Sequence, residues 1–163
     1  MTPRRRLLFA ALVLAQALVP LVIIGGNELA LARGTEVRLR TVPIDPVDLF
    51  RGRYVVLRYE ISRLPAVYPA RRGDTVYVEL EEQDGAWTGT LAVPERPESR
   101  PFIRGRVTRV HGDEVDVEYG IETYFADEAE ARRLEREAGR RLRVDVVLDR
   151  DGRARIEGVE LVG

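Results

Sequence analysis

The stretch Tyr119-Gly120-Ile121-Glu122-Thr123-Tyr124-Phe125 gathers two phenols, a carboxylate and a phenyl ring around one glycine. Tyr119, Glu122, Tyr124 and Phe125 are candidate binding residues, because aromatic faces beside one carboxylate suit a small amphipathic ligand or a partner surface. The same residues at a strand end suit core packing. Arg53 and Tyr54 offer a second candidate pair in the stretch 52–59. Carboxylates also pair at short spacing, Glu79 with Glu81 and Asp116 with Glu118. Such pairs do acid–base work or hold Ca²⁺ in some proteins. In a chain this rich in Arg they read first as a solvated, salt-bridged sheet face. Asp149-Arg150-Asp151-Gly152 starts like a calcium loop but lacks its later ligands, so it reads as a hairpin turn.

The missing residue types narrow the chemistry further. All 26 basic residues are Arg, and there is no Cys. Without Lys there is no Schiff base, no Ser–Lys dyad and no P-loop lysine. Without Cys there is no thiol nucleophile and no thiolate metal site. His111 is the only histidine and Ser62 and Ser99 the only serines, with no catalytic partner arrangement near either serine. The expectation is a protein that is not an enzyme, with no metal and no cofactor.

The elements that position these residues are mostly strands. Val37 and Leu39 alternate with charged neighbours over residues 33–41, and Val55, Leu57, Tyr59 and Ile61 alternate over 53–62. Pro43 and Pro46 interrupt pairing between them, and residues 63–70 read as a Pro-broken connection. Asp84-Gly85 and Gly112-Asp113 each sit between alternating runs, 74–82 with 87–93 and 102–110 with 114–119. A last hairpin joins 142–148 to 154–162. One surface helix is expected over 127–138, with Asp127 as N-cap and Gly139 just past its end. Leu49–Val55 echoes Phe102–Thr108 and raises two similar β units as an expectation. The predicted fold class is therefore mainly β, antiparallel, with one surface helix.

The N-terminus carries an address. Arg4, Arg5 and Arg6 precede Leu7–Gly26, which contains no charge. Twenty residues at ~1.5 Å each span about 30 Å, the thickness of a bilayer's hydrocarbon core. The flanking arginines place the N-terminus inside and the remainder outside. Residues 1–32 then form an anchor and linker, and 33–163 an exported domain. Ala30-Leu31-Ala32 before Arg33 also fits a cleaved signal peptide. Both readings stay open, and both export the domain. From Asn27 onward 23 Arg face 27 acidic residues, a net of −4 with no basic stripe, so nucleic-acid binding is not expected.

Gly52-Arg53-Tyr54-Val55-Val56-Leu57-Arg58-Tyr59 resembles the naming motif of the GDYXXLXY family, membrane-anchored bacterial proteins without an established biochemical role. Gly52, Tyr54, Leu57 and Tyr59 fall on the motif's fixed positions, while Arg53 stands where the family has an acid. Tyr119–Phe125 is similar to a second stretch of that family. The resemblance implies a single-pass protein of the bacterial cytoplasmic membrane, N-terminus in and C-terminal domain in the periplasm or outside. It also implies a multi-pass membrane protein as partner, beside the bilayer that residues 7–26 enter. The expected function is a non-enzymatic accessory or assembly protein. The alternative is a cell-envelope ligand-binding module, anchored or secreted.

Overall fold

The computed structural model describes residues 12–22, 25, 34–42, 54–98, 101–125 and 142–161, with Tyr54 and Leu161 described in their backbone only. The chain divides into residues 1–34 and a second unit, Thr35–Gly163. In the first, residues 12–22 are helical and expose their apolar side chains. No helix among the described residues is long and apolar enough to cross a membrane. The remainder of the uncharged run lies outside the described residues, apart from Gly25. So do the expected helix at 127–138 and the Pro43–Pro46 loop.

Twelve strands are described in the second unit: β1 (Thr35–Arg40), β2 (Tyr54–Val56), β3 (Arg63–Pro65), β4 (Thr75–Glu79), β5 (Glu81–Gln83), β6 (Ala86–Thr88), β7 (Ala92–Val93), β8 (Phe102–His111), β9 (Glu114–Glu118), β10 (Thr123–Phe125), β11 (Leu142–Leu148) and β12 (Ala154–Leu161). They form a first sheet in the order β12-β11-β1-β6-β5, a second in the order β3-β9-β8-β4-β7, and a ribbon of β10 and β2. Pairing between the described strands is antiparallel except for β1 beside β6, where Leu39 meets Trp87; an isolated bridge from Ala66 to Ala92 is also parallel. The expected alternation holds where it matters: Val37 and Leu39 of β1, Val76 and Val78 of β4 and Val144 and Val146 of β11 join one core. Polar neighbours face outward, as a half-buried pleat requires.

Four expectations change. First, the run 53–62 is not one strand. It is β2, an extended link, and a 3-10 turn over Glu60–Ser62. Val55, Leu57, Tyr59 and Ile61 are buried all the same, because an extended link keeps the two-residue alternation. Second, the Pro-broken connection begins as a strand: β3 pairs with β9, and Pro65 is tolerated because β3 is an edge. Third, the runs 74–82 and 87–93 each change sheets. β4 and β7 lie in the second sheet, whereas β5 and β6 lie in the first. The Asp84-Gly85 turn between β5 and β6 is where it was expected, with φ of 54° and 70° as a two-residue hairpin demands.

Fourth, the sequence halves do not form separate β units. β1 pairs with β11, β4 with β8, β3 with β9 and β2 with β10. Each sheet takes strands from both halves. The echoed segments also differ in place, since β2 lies in the ribbon and β8 in the middle of the second sheet.

Candidate functional site

The ribbon brings together the two stretches that the sequence singled out. Tyr54 pairs with Phe125, Val55 with Tyr124 and Val56 with Thr123. The Leu57 N–H then donates to the Glu122 carbonyl at 2.7 Å, carrying the contact one step further. Beyond it Tyr59 bridges to Thr41, and the chain tightens into the 3-10 turn. Ser62 closes that turn, its Oγ accepting from the Tyr59 N–H at 3.0 Å. The two motifs are thus one site.

Its centre is a pair of buried phenols. Tyr59 is 1% exposed and Tyr119 6%. The Tyr59 hydroxyl donates to the Ile121 carbonyl at 2.7 Å, and the Tyr119 hydroxyl donates to the Ile61 carbonyl at 2.5 Å. Burial pushes both phenols well above their ordinary range, and the charge of Glu122 pushes the same way. Both therefore stay protonated as fixed donors. The Tyr119 ring lies against Gly105 of β8, where an added Cβ would come within 2.9 Å of it.

Glu122 is engaged by its own loop. Its Oε1 accepts from the Tyr119 N–H at 2.6 Å and its Oε2 from the Gly120 N–H at 2.9 Å. Gly120 has φ +83°, a conformation costly for any residue with a Cβ. These bonds shape the turn rather than present a carboxylate to solvent. Leu57 is buried at the core, Tyr124 packs partly against it, and Phe125 is 76% exposed. Gly52, Arg53 and the Tyr54 side chain lie outside the described residues. Of the candidate binding residues with described side chains, only Phe125 is strongly exposed to solvent.

The paired carboxylates resolve into structural roles. Glu79 belongs to β4 and Glu81 to β5, in different sheets, so they share no strand face. Asp116 accepts from Arg63 Nε at 2.8 Å, with Arg109 Nε at 3.4 Å and His111 Nε2 at 3.3 Å. The hydrogen bond from Arg63 is the main cause that holds its carboxyl below the usual range. Asp149 Oδ1 accepts from the N–H groups of Asp151 and Arg153, closing the β11–β12 turn. Among the described residues no cluster of three or more His, Asp or Glu could hold a metal ion.

Sequence reasoning missed an open trough of about 470 Å³ on the first sheet. Trp87, Glu36, Glu82 and Glu157 line it together with the Arg38–Asp145 ion pair, whose Nε–Oδ1 distance is 2.9 Å. It sits where β12 carries a bulge: Asp145 pairs with Gly158 but Val146 with Ile156, leaving Glu157 unpaired. Its residues come from five strands, so no local pattern announced it. Also unannounced was Thr41, 2% exposed, whose hydroxyl both donates to the Leu142 carbonyl and accepts from the Leu142 N–H.

Compared with known proteins, residues 16–159 match the model of the GDYXXLXY protein family. No curated protein and no solved structure matches the chain.

Proposed function

Since the chain belongs to the GDYXXLXY family, we propose that it is a non-enzymatic accessory or assembly protein, anchored in the bacterial cytoplasmic membrane, whose exported β domain acts on a multi-pass membrane partner. The observation that carries this reading is the helix at 12–22. Leu12, Val13, Leu14, Leu18, Val19, Leu21 and Val22 are each 49–67% exposed, so apolar side chains surround the helix, with Gln16 its one polar interruption. A helix apolar all round is stable only in lipid or against another apolar surface. The uncharged run 7–26 supplies the length for lipid, and Arg4–Arg6 the inward orientation. Confinement to the membrane plane raises the exported domain's effective concentration toward a neighbour there.

The family's motif supports the non-enzymatic half of the reading. Leu57 packs in the core and Tyr59 hydrogen-bonds internally, so these positions serve architecture. The test is co-purification from bacterial membranes in mild detergent. The full chain is expected to bring down a multi-pass protein, and a variant lacking residues 1–26 to lose it. Recovery of the full chain without any membrane protein would sink the proposal.

The trough favours a second reading, a module for a cell-envelope ligand. An aromatic side chain with a surplus of carboxylates suits a ligand bearing amine or hydroxyl groups. Under that reading an envelope extract raises the thermal stability of the full chain, and Trp87→Ala abolishes the gain.

A further inference from the structure

The helix at 12–22 runs through Pro20. Proline has no N–H, so the carbonyl of Gln16, four residues earlier, receives no intrahelical donor. The same residue carries the only clearly polar side chain of the run 7–26, and that side chain is exposed. Gln16 thus offers two amide N–H donors, one amide oxygen and one freed main-chain carbonyl. Resting on the membrane reading above, Gln16 is the tenth of the twenty residues Leu7–Gly26 and lies at mid-depth. Water is least available there, and a polar group without a partner costs most.

We infer that the Gln16–Pro20 face is a helix–helix contact and that its occupant is the same face of a second copy of this chain. The argument is self-complementarity. Two surplus donors and two surplus acceptors on one patch match a copy of themselves, as a two-fold contact requires. A face with donors only or acceptors only would demand a different helix. Copies inserted with the same orientation also place Gln16 beside Gln16 at one depth. Leu12, Val13 and Val19 flank Gln16 and Pro20 at helical spacing and supply the packing around the polar pair. The contact would hold two exported domains side by side.

The chain has no Cys, so a single introduced thiol reports alone. The experiment oxidises the full chain in bacterial membranes and, separately, washes those membranes with alkaline carbonate. Leu12→Cys is expected to give a covalent homodimer. Leu14→Cys, facing about 160° away from Gln16 on a helix of 3.6 residues per turn, is not. In the Leu12→Cys background, Gln16→Leu lowers the dimer yield about fivefold, in keeping with the modest worth of one hydrogen-bonded contact in lipid. Pro20→Ala restores the missing N–H and lowers it about twofold, whereas Gln16→Asn keeps the amide and at least half the yield. If the chain resists carbonate but Leu12→Cys and Leu14→Cys cross-link alike, or Gln16→Leu changes nothing, the pairing is wrong and the anchor survives. Cross-linking to a different protein overturns the second copy in favour of a foreign helix. Release by carbonate overturns the anchor and this inference with it.

Discussion

Tyr59 and Tyr119 clasp each other's segments: each hydroxyl donates to the carbonyl two residues beyond the other ring, Tyr59 to Ile121 at 2.7 Å and Tyr119 to Ile61 at 2.5 Å. The relation is reciprocal although the two residues lie sixty positions apart. It ties the family motif to the second singled-out stretch through main chain, so the partners' side chains are free to serve the core.

Removing either hydroxyl leaves a buried carbonyl without its donor. Tyr59→Phe and Tyr119→Phe are each expected to cost about 1–3 kcal/mol. Urea unfolding of the full chain in detergent measures this. Losses below about 0.5 kcal/mol for both would show that the clasp contributes nothing beyond packing.

The same phenols make stability fall in alkali. Both have folded-state values raised above the ordinary phenol. Their contribution is therefore complete below about pH 10, the unfolded value, and is lost as pH rises from there toward the folded value. Once the unfolded phenols ionise, the pair is expected to remove about 2.7 kcal/mol per pH unit. The double Tyr59→Phe, Tyr119→Phe variant, less stable at neutral pH, is expected to show a flatter alkaline limb.

Asp116 contributes to the acid limb in the opposite sense. Its carboxyl is held below the usual range, chiefly by the hydrogen bond from Arg63, so its contribution is present above about pH 4 and is lost as pH falls through its lower native value. Asp116→Asn is expected to flatten stability against pH below that point and to leave the alkaline limb unchanged.

Glu122 distinguishes a loop-shaping role from a ligand-binding one. Glu122→Ala strips acceptors from the N–H groups of Tyr119 and Gly120 and is expected to cost about 2 kcal/mol. If unfolding midpoints are unmoved while a co-purifying partner is lost, Glu122 is a contact residue instead.

Gly105 sets the space for the Tyr119 ring. A Cβ there would meet Val117 Cγ1 at 2.3 Å and the ring at 2.9 Å. Gly105→Ala is expected to destabilise by about 1–3 kcal/mol through overpacking. Gly120→Ala meets no neighbour but must hold φ +83°, and is expected to cost about 1–2 kcal/mol. Near-neutral thermal melts for Gly105→Ala would mean that β8 and β9 yield to the new methyl.

What the sequence made legible was periodicity and turns. The burial of Val55, Leu57, Tyr59 and Ile61 followed from alternation, and the Asp84-Gly85 hairpin from its turn chemistry. The 3-10 turn at Glu60–Ser62 was hidden because alternation does not distinguish a strand from an extended link that ends in a turn. The change of sheet at Leu80 was hidden because it depends on distant pairing, β4 with β8 and β6 with β1. Tyr119 and Glu122 stood among the candidate binding residues, and the hydrogen bonds they make could not be read from the sequence. Their partners are main-chain groups, which every residue possesses and no residue type betrays.

The pairing of β1 with β11 also orders events in time. Thr35 meets Leu148 and Arg40 meets Arg143, so the first strand of this unit to leave the ribosome binds one of the last. Closing a loop of that length precedes any gain from the contact, which slows folding. Until β11 arrives, β1 has a single residue pair with β6 to hold it. A chain made N-terminus first therefore leaves Val37 and Leu39 without their β11 partners for nearly the whole of its synthesis, the interval in which a chaperone would find them.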